Sequence, residues 1–197
     1  MDRNLTFYQQ HKDRLIEQYD SVLFESVHHD WIAYLPNEGI ALDIGAGSGR
    51  DARYLAENGL KVIAVEPVLS LLNAAKDNSQ GFDITWIQDG LPNLEKCKQL
   101  NMKFDLILLS AVWMHLTPEA RKLSMQNMSS LLNAGGKLVI TLRHGEFSDG
   151  RIAYPLSVEE VITLASANGL NRLLISKLNC DQLGRGEVAW QTLVLGK

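Results

Sequence analysis

A glycine-rich turn between two short apolar runs is the feature that most constrains the fold of this 197-residue chain. Residues 40–44 form the first run, which leads into Gly-Ala-Gly-Ser-Gly at positions 45–49. Residues 61–65 form the second run, which is followed by Glu66. Glycines after a strand permit a sharp turn and a close approach of the main chain to a ligand, and a carboxylate after the next strand suits ribose hydroxyls. The pattern predicts a nucleoside-bearing ligand across the first two strands of a doubly wound sheet.

The spacing of the glycines distinguishes between two kinds of nucleoside cofactor. A dinucleotide fingerprint has its third glycine one position later than Gly49, at the position that Arg50 occupies here. The departure disfavours a pyrophosphate on the helix N-terminus and favours a ligand with a smaller, zwitterionic tail. A dinucleotide oxidoreductase is therefore a weaker alternative.

Strand-like and helix-like patterns alternate from about residue 40 onward, which is typical of a mostly parallel sheet with helical connections. Residues 104–112 are almost continuously apolar, so we expect a strand that is covered on both faces at the sheet centre. The predicted strands span residues 40–44, 61–65, 84–87, 104–111, 137–141, 170–178 and 188–195.

Capping signals predict where the helices begin and end. Thr117, followed by Pro118, predicts a capped helix that ends near residues 135–136, where two glycines stand. Ser157 opens a capping box for a helix that Gly169 would close. Residues 50–58 are predicted as the helix after the glycine turn.

Residues 1–37 are predicted as a helical extension, and residues 38–197 as the ligand-binding core of a single domain. A capping box at residues 6–9 opens the extension, and apolar residues follow at helical spacing. The polar start of the chain lacks the apolar segment of a signal sequence. No apolar run approaches the roughly 20 residues that a membrane span needs.

Composition narrows the range of partners and ligands. A net charge of −4 argues against a general polyanion-binding protein, so nucleic acid is not expected as a partner. Cys97 and Cys180 lack metal-binding spacing and are interpreted as reduced thiols, which favours a cytoplasmic location. His28 and His29 are adjacent, and adjacent side chains on a helix point about 100° apart. No metal site is therefore predicted.

These motifs, taken in order, resemble those of the class I S-adenosylmethionine-dependent methyltransferases over about residues 40–145. The form Asp43-x-Gly45-x-Gly47-x-Gly49-Arg50-Asp51 with Glu66-Pro67 is similar to small stand-alone members that act on small molecules. The resemblance implies a doubly wound, Rossmann-like α/β sheet of seven strands, mostly parallel with an antiparallel last strand, behind a helical extension. It also implies S-adenosylmethionine as the cofactor.

The resemblance assigns roles around the first two strands. Asp43 and the glycine loop would face the methionine part of the cofactor. Glu66 would accept hydrogen bonds from both ribose hydroxyls. Arg50 would pair with the cofactor carboxylate, or it would form an ordinary ion pair with Asp51 or Glu57.

Further roles follow the third and fourth predicted strands. Asp89 would contact the adenine amino group, or it would be a solvated turn residue. Ser110 would border the methyl sulfonium. The complete predicted cofactor site is Asp43, Gly45, Gly47, Gly49, Arg50, Glu66, Pro67, Asp89, Gly90, Leu91 and Ser110.

The acceptor side of the site is the part that would bind the molecule receiving the methyl group. Its candidate residues lie on loops after the fourth and fifth predicted strands, where open sheets bind ligands. His115 is a candidate base or hydrogen-bond donor, or a packed side chain. His144, in the polar cluster of residues 143–146, is the second catalytic candidate, and this cluster contacts substrate or is a solvated loop. Arg185 would reach an anionic substrate or belong to a structural turn.

The helical extension is the third candidate for the acceptor side. In similar small methyltransferases such an extension closes over cofactor and substrate as a lid. Phe7, Tyr8 and Tyr19 would then supply aromatic walls, or they would pack the helices onto the sheet.

The predicted function is transfer of a methyl group from S-adenosylmethionine to O, N or S of a small molecule by in-line displacement. No catalytic dyad is required, because the cofactor already activates the methyl group. An RNA or protein methyltransferase is the first alternative. The acidic charge balance disfavours it, and so does the sequence Ser-Ala-Val-Trp at positions 110–113, where an Asn/Asp-Pro-Pro-Tyr tetrad would stand. A non-catalytic S-adenosylmethionine-binding protein is the second alternative.

Overall fold

Strands and helices alternate along the chain in the computed structural model, which describes residues 3–197. Residues 1 and 2 of the predicted extension and polar start lie outside the described residues. The strands are β1 (Ile40–Ile44), β2 (Lys61–Val65), β3 (Ile84–Ile87), β4 (Phe104–Leu109), β5 (Leu132–His144), β6 (Asn171–Ile175), β7 (Asn179–Cys180) and β8 (Ala189–Gly196). The helices are α1 (Arg3–Gln10), α2 (Lys12–Asp20), α3 (Phe24–His28), α4 (Arg50–Glu57), α5 (Leu69–Asp77), α6 (Glu95–Gln99), α7 (Pro118–Leu131) and α8 (Val158–Ala167).

The strands form one sheet with the order β3-β2-β1-β4-β5-β8-β6. In the sheet, the adjacent strands β3, β2, β1, β4 and β5 are all parallel, and β8 runs antiparallel to both β5 and β6. The two-residue β7 also pairs with β8 and adds an eighth strand to the seven predicted. The strand order reverses between β1 and β4, and open α/β sheets bind ligands at such a point. The predicted doubly wound sheet with an antiparallel last strand is confirmed.

β4 is the central strand, and both of its faces are buried. Ile107 and Leu109 belong to the core cluster on one face, while Leu106 and Leu108 belong to the cluster on the other. This alternation follows from the two-residue period of a strand. All four side chains have no exposed surface, which explains the continuous apolar run in the sequence. The predicted position of this strand at the sheet centre is confirmed.

Two of the predicted helix caps are present as hydrogen bonds. The Thr117 hydroxyl accepts from the Ala120 amide at 3.2 Å, and the Ser157 hydroxyl accepts from the Glu160 amide at 3.1 Å. Each bond satisfies one amide of the first helical turn, which has no partner within the helix. The predicted starts of α7 and α8 are therefore confirmed.

Two predicted helix boundaries are wrong. α7 ends at Leu131 and not near residues 135–136, because Leu132 already pairs with Phe104 in the sheet. α1 begins at Arg3, so Thr6 lies inside the helix and does not cap its start. In both cases a local signal is overridden by contacts with segments distant in sequence.

The helices α1 to α3 precede the first strand and lie against the end of the sheet where β1 and β4 finish. Asn4 of α1 bonds to the Ile152 backbone, and Asp20 of α2 accepts from the Ser48 hydroxyl at 2.7 Å. None of the described helices combines the length and the apolar composition that would let it cross a membrane.

Candidate functional site

A cavity of about 310 Å³ lies at the carboxyl ends of β1, β2, β4 and β5. The glycine turn, the turns after β2, β3 and β4, the end of β5 and the helices α1 and α2 contribute to its walls. Most of the predicted site residues line this one cavity, namely Asp43, Gly45, Gly47, Arg50, Glu66, Pro67, Gly90, Leu91, Ser110 and His115. The fold therefore brings together residues from positions 43 to 115.

Gly45 allows the turn to pass close to the loop after β4. Its φ is +75°, and a Cβ at this position would lie 2.5 Å from Cγ2 of Val112. A side chain would therefore be strained and would also collide. The amide of Gly45 donates to Val65 O at 2.8 Å, which holds the turn against β2.

Glu66 is a buried carboxylate on the cavity wall, and its side chain is held from both oxygens. Oε2 accepts from the Gly47 amide at 3.0 Å, and Oε1 accepts from the Val68 amide at 2.9 Å. Burial raises the pKa of Glu66 to about 7, although both backbone hydrogen bonds oppose the shift. Each oxygen retains a lone pair for a further donor.

Asp43 carries an orphaned polar atom beside the cavity. The residue is 1% exposed, and Oδ2 has no hydrogen-bond partner among the residues that the structure describes. Burial, and then the negative charge of Asp51, raise the pKa of Asp43 well above its ordinary value, while Arg50 opposes the shift. A buried carboxylate oxygen without a donor is costly. A cationic ligand group in the cavity, such as an ammonium, would satisfy it.

Arg50 forms an ion pair with its neighbour Asp51, which is one of the alternatives that the sequence left open. Nε and NH2 both lie 2.7 Å from Oδ1 of Asp51, and NH1 donates to the carbonyl of Tyr19 at 3.2 Å. Burial opposes the ionisation of Asp51, but the charge of Arg50 and the bond from His28 lower its pKa. Arg50 still lines the cavity while it holds α2 against α4.

A chain of buried hydrogen bonds continues from Asp51 to α3. The indole Nε1 of Trp31 donates to Nδ1 of His28 at 2.9 Å, and Nε2 of His28 lies 3.0 Å from Oδ2 of Asp51. Because an indole N–H can only donate, Nδ1 must accept, and the proton of the neutral imidazole is on Nε2. His28 is thus a structural link to the glycine turn. No sequence pattern indicated this pair, whose members are 23 residues apart.

Gly49 does not line the cavity, and its role in cofactor binding stays a prediction. Its φ is +83°, and a Cβ there would lie 2.9 Å from the Trp86 ring and 3.1 Å from Arg53. Gly49 therefore lets α4 start close to β3, which is a packing requirement. Residues 45–48 of the glycine turn line the cavity, and Gly49 follows them at the start of α4.

Asp89 is also placed outside the lining of the cavity. Oδ1 accepts from the Gly90 amide at 2.8 Å, and Oδ2 accepts from the Cys97 amide at 3.0 Å in the first turn of α6. The carboxylate therefore stabilises a turn and a helix start, and the expected contact with an adenine amino group stays a prediction. Its neighbours Gly90 and Leu91 do line the cavity.

His144 does not line the cavity, and its catalytic role stays a prediction. Residues along a strand alternate between faces, and in β5 the cavity side belongs to Thr141 and Arg143. His144 follows Arg143 and therefore points to the opposite side. The polar cluster at 143–146 does reach the site, but through its arginine.

His115 lies on the cavity wall, where α1 engages both of its ring nitrogens. Nε2 is 2.9 Å from the Tyr8 hydroxyl, and Nδ1 is 3.0 Å from Ile152 O and 3.2 Å from Nδ2 of Asn4. With the proton on Nδ1, that atom donates to Ile152 O and Nε2 accepts from Tyr8. In the other tautomer Nδ1 accepts from Asn4 and Nε2 donates to Tyr8. The Phe147 ring stacks on the imidazole at 5.3 Å.

Comparison with known sequences places a family match on the first half of the sheet. A family model described as a methyltransferase domain matches residues 41–136. Over 103 residues the chain is 30% identical to an uncharacterized methyltransferase of Alkaliphilus oremlandii. This alignment covers 52% of the chain and 45% of that protein, so the chain spans less than half the length of this relative.

Solved structures of similar fold cover nearly the whole chain. One is the 1,6-didemethyltoxoflavin-N1-methyltransferase of Burkholderia thailandensis with bound 1,6-didemethyltoxoflavin and S-adenosylhomocysteine, at 18% identity and a TM-score of 0.73 over 98% of this chain and 86% of that one. Another is the N-methyltransferase NodS of Bradyrhizobium japonicum with S-adenosylhomocysteine, at 19% identity and a TM-score of 0.73 over 98% of both chains. These similarities establish the fold.

Proposed function

We propose that the chain is a class I S-adenosylmethionine-dependent methyltransferase that transfers a methyl group to a small-molecule acceptor, which its methyltransferase domain match over residues 41–136 and its fold support. The acceptor atom is O, N or S. The observation that carries the proposal is the pair of buried carboxylates, Asp43 and Glu66, at the ends of adjacent parallel strands in one cavity. Asp43 would hold the ammonium group of the cofactor, and Glu66 its ribose hydroxyls.

The residues present fit this cofactor. Oδ2 of Asp43, which has no partner among the described residues, needs a donor, and Gly45 and Gly47 place main chain without side chains on the cavity wall. Gly90 and Leu91 would border the adenine ring, and Ser110 would lie near the reacting group. When bound, the cofactor supplies a methyl group that is already activated on a sulfonium. The protein has to align the acceptor and exclude water.

The N-terminal helices cover the site in this proposal. Tyr8 of α1 and Tyr19 of α2 line the cavity, and Asp20 holds the glycine turn through Ser48. Residues 3–37 would therefore form a lid on the core in a single domain. A covered cavity suits a small acceptor, as does the relative that was crystallised with 1,6-didemethyltoxoflavin. The free thiols of Cys97 and Cys180 support the proposal of a cytoplasmic location.

His115 and Tyr8 are the proposed proton-accepting pair of the acceptor side. A base is needed only if the acceptor atom carries a proton at the working pH. The Tyr8 hydroxyl lies 2.9 Å from Nε2 of His115, so a proton from an acceptor beside Tyr8 can pass to the imidazole. His115→Gln is expected to lower turnover and leave the affinity for S-adenosylhomocysteine unchanged. Full turnover of this variant would exclude the role.

Calorimetric titration with S-adenosylhomocysteine, with NAD as the control ligand, tests the proposed function directly. We expect saturable binding of S-adenosylhomocysteine alone. Binding of NAD in its place would favour a dinucleotide oxidoreductase as the interpretation of the glycine turn. If binding occurs but no methyl transfer to any small molecule is found, the non-catalytic alternative gains support.

The affinity for S-adenosylhomocysteine is expected to rise about tenfold between pH 6 and pH 8, as follows from a single carboxyl group with a pKa of about 7 that must be ionised to bind. For folding the sign is opposite. Between pH 4.5 and about 7 the folded protein retains the Glu66 proton and the unfolded chain does not, so the unliganded protein loses stability as pH rises through this window. Calorimetry at several pH values measures the first effect, and Glu66→Gln should reduce it. A flat profile would contradict the ionised role of Glu66.

A further inference from the structure

Three arginines line the part of the cavity that the end of β5 and the loops around it build. They are Arg143, Arg151 and Arg185. Arg151 pairs with Asp149, with Nε at 3.0 Å from Oδ1 and NH2 at 2.7 Å from Oδ2. Arg185 pairs with Asp181, with Nε at 2.9 Å from Oδ2 and NH2 at 2.6 Å from Oδ1. Two carboxylates thus offset two of the three guanidinium groups.

Arg143 is the guanidinium that this arrangement leaves without a counter-charge. It is 6% exposed and forms no ion pair within the part of the chain that the structure describes. NH1 and NH2 donate to the carbonyls of Gly145 and Glu146, while Nε has no hydrogen-bond partner among the described residues. Burial, and then the charges of Arg185 and Arg151, lower the pKa of Arg143. A buried cation without an anion is costly, and a ligand that brings one would stabilise it.

Neighbouring aromatic contact and hydrogen bonding fix the orientation of Arg143. The Phe147 ring lies 3.9 Å from the guanidinium carbon and also stacks on His115. Nε and the second hydrogen of NH2 lie on one edge of the guanidinium group. Such an edge is a two-donor fork that matches the two oxygens of a carboxylate or phosphate.

The position of Arg143 relates this fork to the reacting centre. The Ala111 amide, next to Ser110, donates to Oγ1 of Thr141 at 2.8 Å. Arg143 stands two residues beyond Thr141 on the same side of β5, about 7 Å further along the strand. The backbone of Arg143 is therefore close to the loop after β4, which Thr141 contacts.

We propose that the methyl acceptor is an anion whose carboxylate or other oxyanion group is recognised by Arg143, a specificity role that rests on the proposed function. The negative charge of the acceptor would pair with Arg143. Asp149 and Asp181 pair with the other two guanidinium groups, those of Arg151 and Arg185. An acceptor of the same shape without the charge would leave Arg143 uncompensated.

Matched probes of equal shape test this recognition. We titrate benzoate, benzamide and inorganic phosphate, each in a separate experiment, into the protein saturated with S-adenosylhomocysteine. We expect saturable binding of an anion, at least about tenfold tighter than that of benzamide, because a charged hydrogen-bonded pair replaces a neutral contact. Benzoate without phosphate would point to a carboxylate acceptor, and phosphate without benzoate would point to a phosphorylated acceptor. Equal binding of benzoate and benzamide, or of neither anion at millimolar concentration, would overturn the proposal.

Variants of the arginine separate recognition from folding. Arg143→Gln should weaken anion binding at least about tenfold, Arg143→Lys should retain part of it, and the exposed Arg172→Gln should change nothing. Anion binding that is unchanged in Arg143→Gln would also overturn the proposal. S-adenosylhomocysteine titration of each variant reports whether it folds. If Arg143→Gln does not fold, the comparison of benzoate with benzamide on the unsubstituted protein decides. If the unsubstituted protein does not bind S-adenosylhomocysteine, the result would contradict the proposed function itself.

Discussion

Glu66→Ala is expected to weaken the binding of S-adenosylhomocysteine by about 2–3 kcal/mol, or roughly 30–150-fold. Two ribose hydroxyls would lose a charged acceptor. The variant also leaves the amides of Gly47 and Val68 without the carboxylate that accepts from them at 3.0 and 2.9 Å, so the glycine turn loses one of its hydrogen bonds to the end of β2. Isothermal calorimetry at pH 8, where the Glu66 carboxyl is ionised, measures the effect.

Two variants control this experiment. Glu66→Gln preserves the length of the side chain and one acceptor oxygen, and we expect an intermediate affinity. Glu57→Ala removes an exposed glutamate at the end of α4 and should bind like the unsubstituted protein. Affinity of Glu66→Ala within twofold of the unsubstituted protein would disprove the ribose assignment.

Asp51→Ala is expected to lower the free energy of unfolding by about 3–5 kcal/mol, as for a buried ion pair that loses one member. Asp51 is 6% exposed and receives hydrogen bonds from Arg50 and from the fully buried His28. Without it, Nε and NH2 of Arg50 and the imidazole N–H of His28 would lose their carboxylate acceptor. Urea unfolding measures the change. Asp83→Ala, at an exposed aspartate before β3, is the control and should stay within about 0.5 kcal/mol.

A double-mutant cycle shows whether the loss comes from the hydrogen-bond chain. His28→Ala alone should also destabilise the protein, since the indole N–H of Trp31 loses its acceptor. If the two residues act through one interaction, the double variant should lose less than the sum of the single losses. Additive losses would mean that His28 and Asp51 contribute separately.

The sequence predicted the sheet where local and long-range signals agree. Strands β1, β2 and β3 begin and end at the predicted residues, since each short apolar run is bounded by turn residues. β5 was expected only at residues 137–141, but it extends from Leu132 to His144. Its extra length comes from the pairing of Leu132 with Phe104 and of His144 with Ala189. Such pairing depends on residues that are distant in sequence.

The candidate site was predicted less evenly than the fold. Glycine spacing and strand ends identified Gly45, Gly47 and Glu66 as cavity residues, because the connection from strand to turn fixes their direction. Asp89 and His144 do not line the cavity, and their site roles stay predictions. His144 was expected on a loop after the fifth strand but lies in β5, where neighbouring residues face opposite sides of the sheet.

Contacts between the extension and the acceptor side had no local signal at all. Tyr8 and His115 are 107 residues apart, and Asn4 and Ile152 are 148 apart. An arginine just after a predicted strand is equally uninformative about whether a carboxylate stands opposite to it. The unpaired state of Arg143 emerges only when Asp149 and Asp181 are seen to pair with its neighbours.

The helices α1 and α2 reach the cavity through side chains and a single carbonyl, and none of their described residues enters the sheet. Their contacts touch the glycine turn at one side and His115 at the other. Substitutions in these helices can therefore alter what the cavity admits without shifting any strand register. A change of acceptor preference can therefore arise in this segment while the pairing of the core strands is retained.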